Sequence, residues 1–558
     1  PMSPDPMTLD SETAAGLSLA DRARRAIDDT DLQTALGKVT AALGAEGTAA
    51  RTDPDMVEKR RRGAAIRREV LDDLDGWLDR LQAKLESLGI TVHRAAGPEE
   101  ARQVVLGVAR AEGVRLAVKS KSMATEEIHL NAALEAEGIE VVETDLGEYI
   151  IQLAHEMPSH IIAPAVHKTV AQVARLFTEV AGHALPDDRT ALCAFARERL
   201  RSKFLAADMG ITGVNFAAVD TGTLVLVTNE GNGRMCTSLP RVHVAVMPVE
   251  KVIPRFEDLG VLVPLLTRSA TGQRLSTYVS MMTGPRRPGE VDGPERMHVI
   301  FLDHNRRSLL GTPYQEMLAC VRCGACLNVC PVYRRIGGHA YDAVYSGPMG
   351  AVLTPLLSGG TEGRDLPDAS SLCGACTEAC PVGIPLADLL VRLRADLRTP
   401  GPAVPPARPW PSRSTLAAGP GDRDRPGPGA GPGDRDRPGP IGPGTPDGAG
   451  REVPDRSGPD PAREPVGVAG DAPGRPQDTP PGLRTGRRVA FGAWARLWAS
   501  PTGYRLSAAA ARRLSRVAPP ALVRRAPLVK GWGEGRDIPL PAARSFRQRL
   551  AHREEEGW

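Results

Sequence analysis

Apolar residues recur at two different spacings over the first 300 residues of the chain. Between Met56 and about Gly89 they follow a helical period, which predicts a helical segment there. Its predicted apolar face carries Val70, Leu71, Leu74, Trp77, Leu78 and Leu81. Beyond it, short apolar runs such as ITVHRAA, RLAVKS and IEVVETD alternate with helical stretches of about ten to fifteen residues. Such alternation is typical of βαβ units, so we expect an α/β domain with a largely parallel sheet over residues 56–300.

A second apolar block of this domain, made of GVNFAAVDTGTLVLVTN, RVHVAVMPVEKVIP and LGVLVPLL, is predicted to be richer in strand. Two polar segments, KSKSMATEE (119–127) and VETDLGEYIIQLAHEMPSHIIAPAVHK (142–168), have the composition of an anion site at a helix N-terminus. They are equally compatible with loops and caps, since Thr125 followed by two glutamates makes a good helix start. The basic run KRRRG is predicted to be a solvated helix face.

Both ends of the chain lack the pattern of a folded core. Residues 1–55 hold few apolar residues, so we expect a loosely ordered arm with one short helix. Residues 399–482 are dense in Pro, Gly, Asp and Arg, and PGDRDRPGP occurs there twice, at 420–428 and 432–440. Such a stretch buries too little apolar area to offset its ordering entropy, which predicts a disordered linker. FGAWARLWA and YRLSAAAARRLSRV predict a small helical C-terminal module over residues 483–558.

Length and charge narrow the possible classes of function. The chain has 558 residues, more than one hydrophobic core usually serves, so several domains are expected. Its 70 Lys and Arg nearly balance 67 Asp and Glu, and a net charge of +3 gives no field that would attract nucleic acid. No secretory signal and no window of roughly 18 apolar residues is present. We therefore expect a cytoplasmic protein without a transmembrane segment, whose clustered cysteines bind metal.

Seven of the nine cysteines fall into two motifs, each closed by Cys-Pro. The first has the CxxCxxCxxxCP spacing of bacterial two-cluster ferredoxins. Its members are Cys320, Cys323, Cys326 and Cys330. The second motif, Cys373, Cys376 and Cys380, lacks a first cysteine, and alignment from its proline puts Ser370 at that position. The two motifs predict an iron–sulfur electron carrier with two clusters.

The ligand sets follow from the rule that the last cysteine of each motif binds the other cluster. Cluster 1 is predicted to take Cys320, Cys323, Cys326 and Cys380. Cluster 2 is predicted to take Cys330, Cys373 and Cys376. Three alternatives stay open for its fourth position: Ser370 or another oxygen or nitrogen ligand, a three-iron (3Fe-4S) cluster, or a four-iron cluster whose unique iron is open to a partner's ligand. His339, close to Cys330 in sequence, is a tuning residue, that fourth ligand or a hydrogen-bonded structural histidine.

Other roles for the cysteines are weaker. Zinc would need four ligands per site and would not explain the first spacing, whereas clusters that only staple the local fold stay an alternative. Cys193 is predicted to be a core residue, and Cys236 has no adjacent group that would activate it. The Gly-rich segment NEGNGR (229–234) lacks a Walker lysine and the full dinucleotide spacing, so it is a weak nucleotide motif.

Several segments together resemble the lactate utilization protein B family, an iron–sulfur subunit of a bacterial L-lactate oxidation system. They cover most of residues 60–398 and are KSKSMATEE, VVETDLGEYIIQLAHEMPSHIIAPAVHK, GITGVNFAAVDTGTLVLVTNEGNGR, RSATGQ, CVRCGACLNVCPVYRRIGGHAYDAVYSGPMGAVLTPLL and SLCGACTEACPVGIPL. The resemblance implies an N-terminal α/β domain similar to CoA-transferase and sugar-isomerase-like proteins, then a mainly helical two-cluster ferredoxin-type domain over residues 301–398. It also implies two four-iron clusters held by the seven cysteines, and two partner subunits.

The leading hypothesis is a non-catalytic electron-transfer subunit of a lactate utilization complex. Electrons released when L-lactate becomes pyruvate at a partner subunit would pass through both clusters to a downstream acceptor at a membrane. The alternative is an enzyme whose α/β domain binds an organic acid, with the open iron of cluster 2 as a Lewis acid. A redox-sensing scaffold is a third class, which no feature of the sequence requires.

Overall fold

The computed structural model describes residues 17–274, 276–399, 405–406 and 408–410. The helices are Leu19–Asp28 (α1), Thr30–Thr52 (α2), Pro54–Asp72 (α3), Leu74–Ser87 (α4), Pro98–Ala111 (α5), Met123–Glu127 (α6), Leu130–Ala136 (α7), Leu146–Leu153 (α8), Val170–Ala181 (α9), Arg189–Ala206 (α10), Asn232–Ser238 (α11), Leu259–Thr271 (α12), Ala325–Val329 (α13), Tyr333–Ile336 (α14), Gly347–Leu357 (α15), Ala375–Ala379 (α16) and Leu386–Arg398 (α17). The strands are Thr91–Ala95 (β1), Leu116–Lys119 (β2), Glu140–Glu143 (β3), Met209–Gly213 (β4), Phe216–Ala218 (β5), Thr223–Thr228 (β6), Val242–Pro248 (β7), Val252–Ile253 (β8), Tyr278–Met282 (β9) and Arg296–Leu302 (β10).

Six parallel strands form the main sheet, in the order β1-β10-β7-β4-β2-β3. Every neighbouring pair is parallel, which confirms the parallel sheet predicted from the alternation of strands and helices. A second sheet has the order β8-β5-β6-β9, and its strand β6 runs antiparallel to both neighbours. The strand-rich block of the sequence thus supplies β5, β6 and β8 of this smaller sheet as well as β7 of the main sheet.

Alternate residues of the central strand β7 face two different cores. Val244 and Val246 pack in the core that contains residues of α5 and α7. Ala245 and Met247 pack in another, which contains residues of α4. The sheet is therefore covered on both faces, and this is why its strands are nearly continuous apolar runs.

The prediction of a loosely ordered N-terminal arm is wrong for its described part. Residues 17–55 contain the helices α1 and α2, which begin at the caps Ser18 and Asp29. Large apolar residues are few because small ones allow close packing of α2 against α12. A Cβ atom at Gly47 would lie only 2.7 Å from the carbonyl oxygen of Ser269. Residues 1–16 lie outside the described residues.

Two further predictions of local structure need correction. The run LGVLVPLL, expected in the strand-rich block, lies in helix α12. An unbroken apolar run shows no period, and here the helix is buried by packing against α2 and α3. The helical segment predicted from Met56 to Gly89 is two helices, because Asp73 breaks it and accepts a hydrogen bond from Gly76 N at 3.2 Å.

The predicted ferredoxin-type domain is helical, as expected, with no strand between residues 303 and 399. Helix α15 is buried along most of its length and packs against α13 and α17. Helix α17 buries one face, made of Leu386, Leu389, Leu390, Leu393 and Leu397. Across the described parts of the chain, no helix is long and apolar enough to cross a membrane.

A short part of the linker predicted from residue 399, residues 408–410, packs on the folded chain. The ring of Trp410 lies between two guanidinium groups, 4.7 Å from that of Arg94 and 4.4 Å from that of Arg307. Arg307 also donates hydrogen bonds to the carbonyl oxygens of Arg408 and Pro409, at 3.3 and 3.2 Å. Docking on the α/β domain therefore extends to residue 410. The rest of the predicted linker and the predicted C-terminal module lie outside the described residues.

Candidate metal centre

The two cysteine motifs repeat the same backbone path. The residue before the second cysteine position has a positive φ in both, 61° at Arg322 and 55° at Leu372. The next glycines match as well, with φ of 83° at Gly324 and 81° at Gly374, and each begins a five-residue helix, α13 or α16. Positive φ is costly for a residue with a Cβ atom, so its occurrence at both places marks a shared loop geometry.

This repeat puts Ser370 at the position that Cys320 has in the first motif. The Ser370 hydroxyl accepts a hydrogen bond from Leu372 N at 3.1 Å. The backbone carbonyl oxygen of Ser370 accepts one from Arg394 at 3.0 Å. The corresponding bond in the first motif joins Arg322 N to the sulfur of Cys320, at 3.4 Å. A hydroxyl thus takes the place of a thiol in an otherwise similar loop.

Four thiols line one small cavity in the ferredoxin-type domain. They belong to Cys320, Cys323, Cys326 and Cys380, and we call them set 1. The other walls of the cavity are mostly apolar, with Ile161 from the α/β domain among them. Burial raises the pKa of the Cys380 thiol to about 11, and Ile384 N donates a hydrogen bond to its sulfur at 3.3 Å. Set 1 holds the thiols predicted for cluster 1, including the one from the second motif.

The remaining three thiols of the motifs, Cys330, Cys373 and Cys376, form set 2. Cys330 and Cys376 are buried, whereas Cys373 is exposed. Burial raises the pKa of Cys330 to about 12, and the thiols of Cys376 and Cys373 are close enough to add to that rise. Tyr333 N donates to the sulfur of Cys330 at 3.5 Å. These three thiols are those predicted for cluster 2.

Tyr341 adds a buried polar group near set 2. Its side chain is 1% exposed, and its hydroxyl has no hydrogen-bond partner among the described residues. Burial raises the pKa of the phenol, and the thiol of Cys330 is the next largest contribution. The ring centroid lies 6.3 Å from that of Tyr333, whose backbone amide contacts the Cys330 sulfur. Its only sequence signal is proximity to Cys330.

His339, the sequence-based candidate beside set 2, is hydrogen-bonded to the α/β domain. Its Nε2 lies 2.7 Å from the carbonyl oxygen of Met157, and its ring centroid is 4.4 Å from that of His167. Burial lowers the pKa of His339 to about 4, so the ring is neutral near pH 7. This geometry fits the alternative of a structural histidine.

The donor atoms of both sets suit iron–sulfur clusters. Thiolates are the usual protein ligands of such clusters, and hydrogen bonds from backbone amides to the sulfurs adjust their charge. Burial without metal raises the pKa of most of these thiols, as at Cys323 and Cys376. A bound cluster would therefore displace the thiol protons, and its assembly would be coupled to proton release.

A buried network of charged side chains joins set 1 to the α/β domain. Arg322, between the first two cysteines, pairs with Glu250 at 2.8 Å. Glu250 also pairs with Arg306 at 2.8 Å, and Arg306 pairs with Glu127 at 2.6 Å. Tyr345 donates a hydrogen bond to Glu127 at 2.7 Å. The sequence signal was weak, since Glu250 is a single acidic residue in a long apolar run.

Some residues of the polar segments 119–127 and 142–168 have structural roles, and others line a large cavity of the α/β domain. Lys119 is fully buried between Glu126 and Glu143, at 2.5 and 2.6 Å, and so has a structural role. Helix α6 begins after Ser122, whose hydroxyl caps Thr125 N at 3.3 Å; the predicted start at Thr125 is three residues too late.

The remaining sequence-based candidates have simple positions. In the basic run KRRRG, Arg61 and Arg62 are exposed as predicted, while Arg60 donates to the carbonyl oxygen of Cys380 at 3.0 Å. Cys193 is exposed, so the prediction of a core residue is wrong: the buried face of α10 runs along Leu192, Ala196, Leu200 and Phe204. Cys236 is buried, and burial raises its thiol pKa to about 12, which makes it unreactive.

Comparison with known proteins identifies the family. Residues 78–302 match the LUD domain, residues 316–384 a 4Fe-4S dicluster domain, and residues 482–555 the C-terminal region of lactate utilisation protein B. Lactate utilization protein B of Bacillus licheniformis is 52% identical over 330 residues, which are 59% of this chain and 69% of that protein. The chain belongs to the lactate utilization protein B family. Lactate utilization protein B of Shouchella clausii is 47% identical over 375 residues, which are 67% of this chain and 79% of that protein.

This member of the family thus combines a LUD domain, built on the parallel sheet, with an iron–sulfur domain. Its family membership gives it a role in lactate utilization. A solved structure of a duf162 family protein from Deinococcus radiodurans aligns with 41% of this chain and 98% of its own length at 15% identity. Its TM-score of 0.24 is too low to support a comparison of folds.

Proposed function

We propose that this chain is the electron-transfer subunit of a lactate-oxidising assembly, with two 4Fe-4S clusters held by sets 1 and 2. The proposal rests mainly on the closeness of the two thiol sets. Burial raises the pKa of Cys326 well above its usual range, and thiols of both sets, Cys320 and Cys376 among them, add to the rise. Helix α13, which carries Cys326 of set 1, packs against helix α16, which carries Cys376 of set 2. The two sets are therefore adjacent, which suits electron transfer between them.

The protein residues would position and insulate the clusters. A bound 4Fe-4S cluster takes up and releases single electrons, at a potential set by its charge, its hydrogen bonds and its exposure to solvent. Cys320, Cys330 and Cys380 each accept a backbone N–H hydrogen bond, which stabilises negative charge on sulfur. Set 1 lies against the α/β domain, whereas set 2 reaches the surface at Cys373.

The different exposure of the two sets indicates where partners would bind. Oxidation of L-lactate to pyruvate releases two electrons and two protons, and we place that reaction on a partner subunit. The surface near Cys373, where Leu372 is 39% exposed, is the expected contact for a partner subunit or for the downstream electron acceptor. Passage of the two electrons through this chain would then occur one at a time.

The alternative function, an enzyme in which the open iron of cluster 2 acts as a Lewis acid on an organic acid, finds less support. The large cavity of the α/β domain is lined by Cys323 of set 1, and none of the set 2 thiols lines it. A substrate in that cavity would thus lie beside the other set. The likeness of the α/β domain to CoA-transferase and sugar-isomerase-like proteins stays a prediction.

The test is EPR spectroscopy of the anaerobically reconstituted full chain during reduction. The proposal expects two reducible iron–sulfur signals that interact magnetically, together with iron and sulfide contents for two clusters. The Cys193→Ala variant is a matched control, because Cys193 is exposed and belongs to neither set, and it should give the same spectra. A protein with no reducible iron–sulfur signal would exclude the electron-transfer role.

A further inference from the structure

A second and much larger cavity lies at the edge of the parallel sheet, and neither the thiol sets nor the electron-transfer proposal accounts for it. Its volume is about 650 Å³. Lys121, Asn215 and Lys251 line it from segments that follow strands β2, β4 and β7. The carboxyl ends of parallel strands are where open α/β sheets bind ligands. We call this space the sheet-edge cavity.

The opposite wall of the sheet-edge cavity comes from the iron–sulfur domain. Arg322, Cys323 and Tyr345 all line it. Arg322 and Cys323 also line the small cavity of set 1. A molecule in the sheet-edge cavity would therefore lie beside Cys323, a member of set 1.

Asn232 indicates that the sheet-edge cavity is built for a ligand. The side chain is 4% exposed, and neither its Oδ1 nor its Nδ2 atom has a hydrogen-bond partner among the described residues. Burying an amide without hydrogen-bond partners is energetically costly. A ligand group that both donates and accepts hydrogen bonds would remove that cost. The segment NEGNGR, weak as a nucleotide motif, thus contributes a polar wall.

Lys251 supplies an incompletely balanced positive charge on the same cavity. Its side chain is 7% exposed, and no ion pair or hydrogen bond joins it to another described residue. Its neighbour Glu250 already pairs with Arg306 and Arg322. Burial, and then the charge of Arg322, lower the pKa of Lys251 to about 7. An anionic group beside Lys251 would compensate both effects.

At another part of the wall, carboxylates accompany a lysine. Asp145 and Glu230 line the cavity with Lys121, and both carboxylates accept hydrogen bonds from backbone amides at the start of α8. Burial, followed by the charge of Asp145, raises the pKa of Glu230 to about 7. This region suits a neutral hydrogen-bonding group better than a second anion. The remaining wall includes apolar side chains such as Ile162 and Leu226.

We propose that the sheet-edge cavity binds an organic anion larger than lactate, with its acidic group at Lys251 and a hydrogen-bonding group at Asn232. The size argument is that cavities of roughly 300–1,000 Å³ hold ligands of cofactor or drug size. A three-carbon acid would leave most of this space unfilled. The apolar side chains that also line the cavity suit a ligand with an apolar or aromatic body.

Two probes distinguish a ligand of cofactor size from a small carboxylate. Flavin mononucleotide represents an aromatic anion of cofactor size, and L-lactate represents a small carboxylate. Binding to the reconstituted full chain is measured by calorimetry, and EPR spectra are recorded with and without each probe. We expect flavin mononucleotide to bind and to shift the signal of set 1 but not that of set 2. Binding of L-lactate alone would overturn the size argument.

Two variants test the residues that carry the inference. Lys251→Met removes the charge, and Asn232→Leu removes the amide; each should weaken probe binding at least tenfold. Lys203→Met is the matched control, because Lys203 pairs with Glu140 at the surface and should leave binding unchanged. Iron content and circular dichroism verify that the variants fold. Equal probe affinity in wild type and both cavity variants, or no binding of either probe, would overturn the site while leaving the electron-transfer proposal intact.

Discussion

The two thiol sets share a backbone geometry but lie in different surroundings. Arg322 and Leu372 occupy the same place in the repeated loop, with φ of 61° and 55°. Arg322 is buried and paired with Glu250 of the α/β domain, whereas Leu372 is 39% exposed. Two cysteine loops with the same backbone geometry thus have different environments, because different parts of the chain pack on them. One set is enclosed and complete in thiols, and the other is partly open and has three.

Removal of the charge of Glu250 should have the largest effect on this contrast. Glu250 is 0% exposed and pairs with two arginines, so Glu250→Gln leaves buried positive charge uncompensated. Loss of one partner of a buried ion pair typically costs about 3–5 kcal/mol. Urea denaturation measures this loss of free energy of unfolding, and EPR should show a changed set 1 signal beside an unchanged set 2 signal.

The control for Glu250→Gln is Glu140→Gln, at the surface pair with Lys203. Surface pairs contribute about 0–1 kcal/mol, so this variant should unfold almost like wild type. Equal destabilisation by the two substitutions would show that the buried network does not anchor the first motif to the α/β domain.

Exposure should make set 2 the first to react with oxidants. Cys373 is exposed, whereas the set 1 residues Cys323, Cys326 and Cys380 are buried. During ferricyanide treatment the set 2 signal should decay about tenfold faster than that of set 1. Iodoacetamide labelling followed by mass spectrometry should then find Cys373 modified before Cys323. Cys193, exposed and outside both sets, reports the labelling rate of an unliganded thiol. Simultaneous decay of both signals would remove the proposed difference in access.

Smaller effects are expected around set 2. Tyr341→Phe removes a buried hydroxyl that has no protein partner in the described structure. If that hydroxyl hydrogen-bonds to the cluster, its loss of about 1 kcal/mol corresponds to about 40 mV in the potential of set 2. A redox titration followed by EPR measures the shift, and set 1 should keep its potential. An unchanged set 2 potential would exclude a role for Tyr341 at the cluster.

Ser370→Cys tests the fourth ligand position of set 2. The repeat aligns Ser370 with Cys320, so a thiol there should bring set 2 closer to set 1 in spectrum and iron content. Spectra and potentials identical to wild type would argue against Ser370 as the ligand position.

The sequence predicted the regular parts of the molecule well, because their signals are local. Alternating apolar runs and helices led to the parallel sheet, and cysteine spacing led to the thiols that line the set 1 cavity. Helix α2 was missed because its packing uses small residues such as Gly47, which carry no apolar signal. The apolar run of helix α12 favours strand in the sequence, because an unbroken apolar run has no period that distinguishes a helix from a strand.

The site features that sequence could not predict depend on contacts between distant segments. Glu250, Arg306 and Glu127 belong to different loops and helices, and only folding brings them together behind Arg322. Asn232 was visible as part of a weak motif, but its missing hydrogen bonds are a property of burial. Such residues are recognised in the folded structure by a balanced charge or by a missing hydrogen bond. The spacing of residues along the sequence shows neither property.

The central claim is that each motif contributes its last cysteine to the other set. The most direct test compares Cys380→Ala with Cys330→Ala by EPR and iron analysis, using Cys320→Ala and Cys373→Ala to assign the signals. We predict that Cys380→Ala loses the signal that Cys320→Ala loses, because Cys380 lines the set 1 cavity. Cys330→Ala should lose the signal that Cys373→Ala loses. The reverse pattern, with Cys330→Ala abolishing the set 1 signal, would contradict the account.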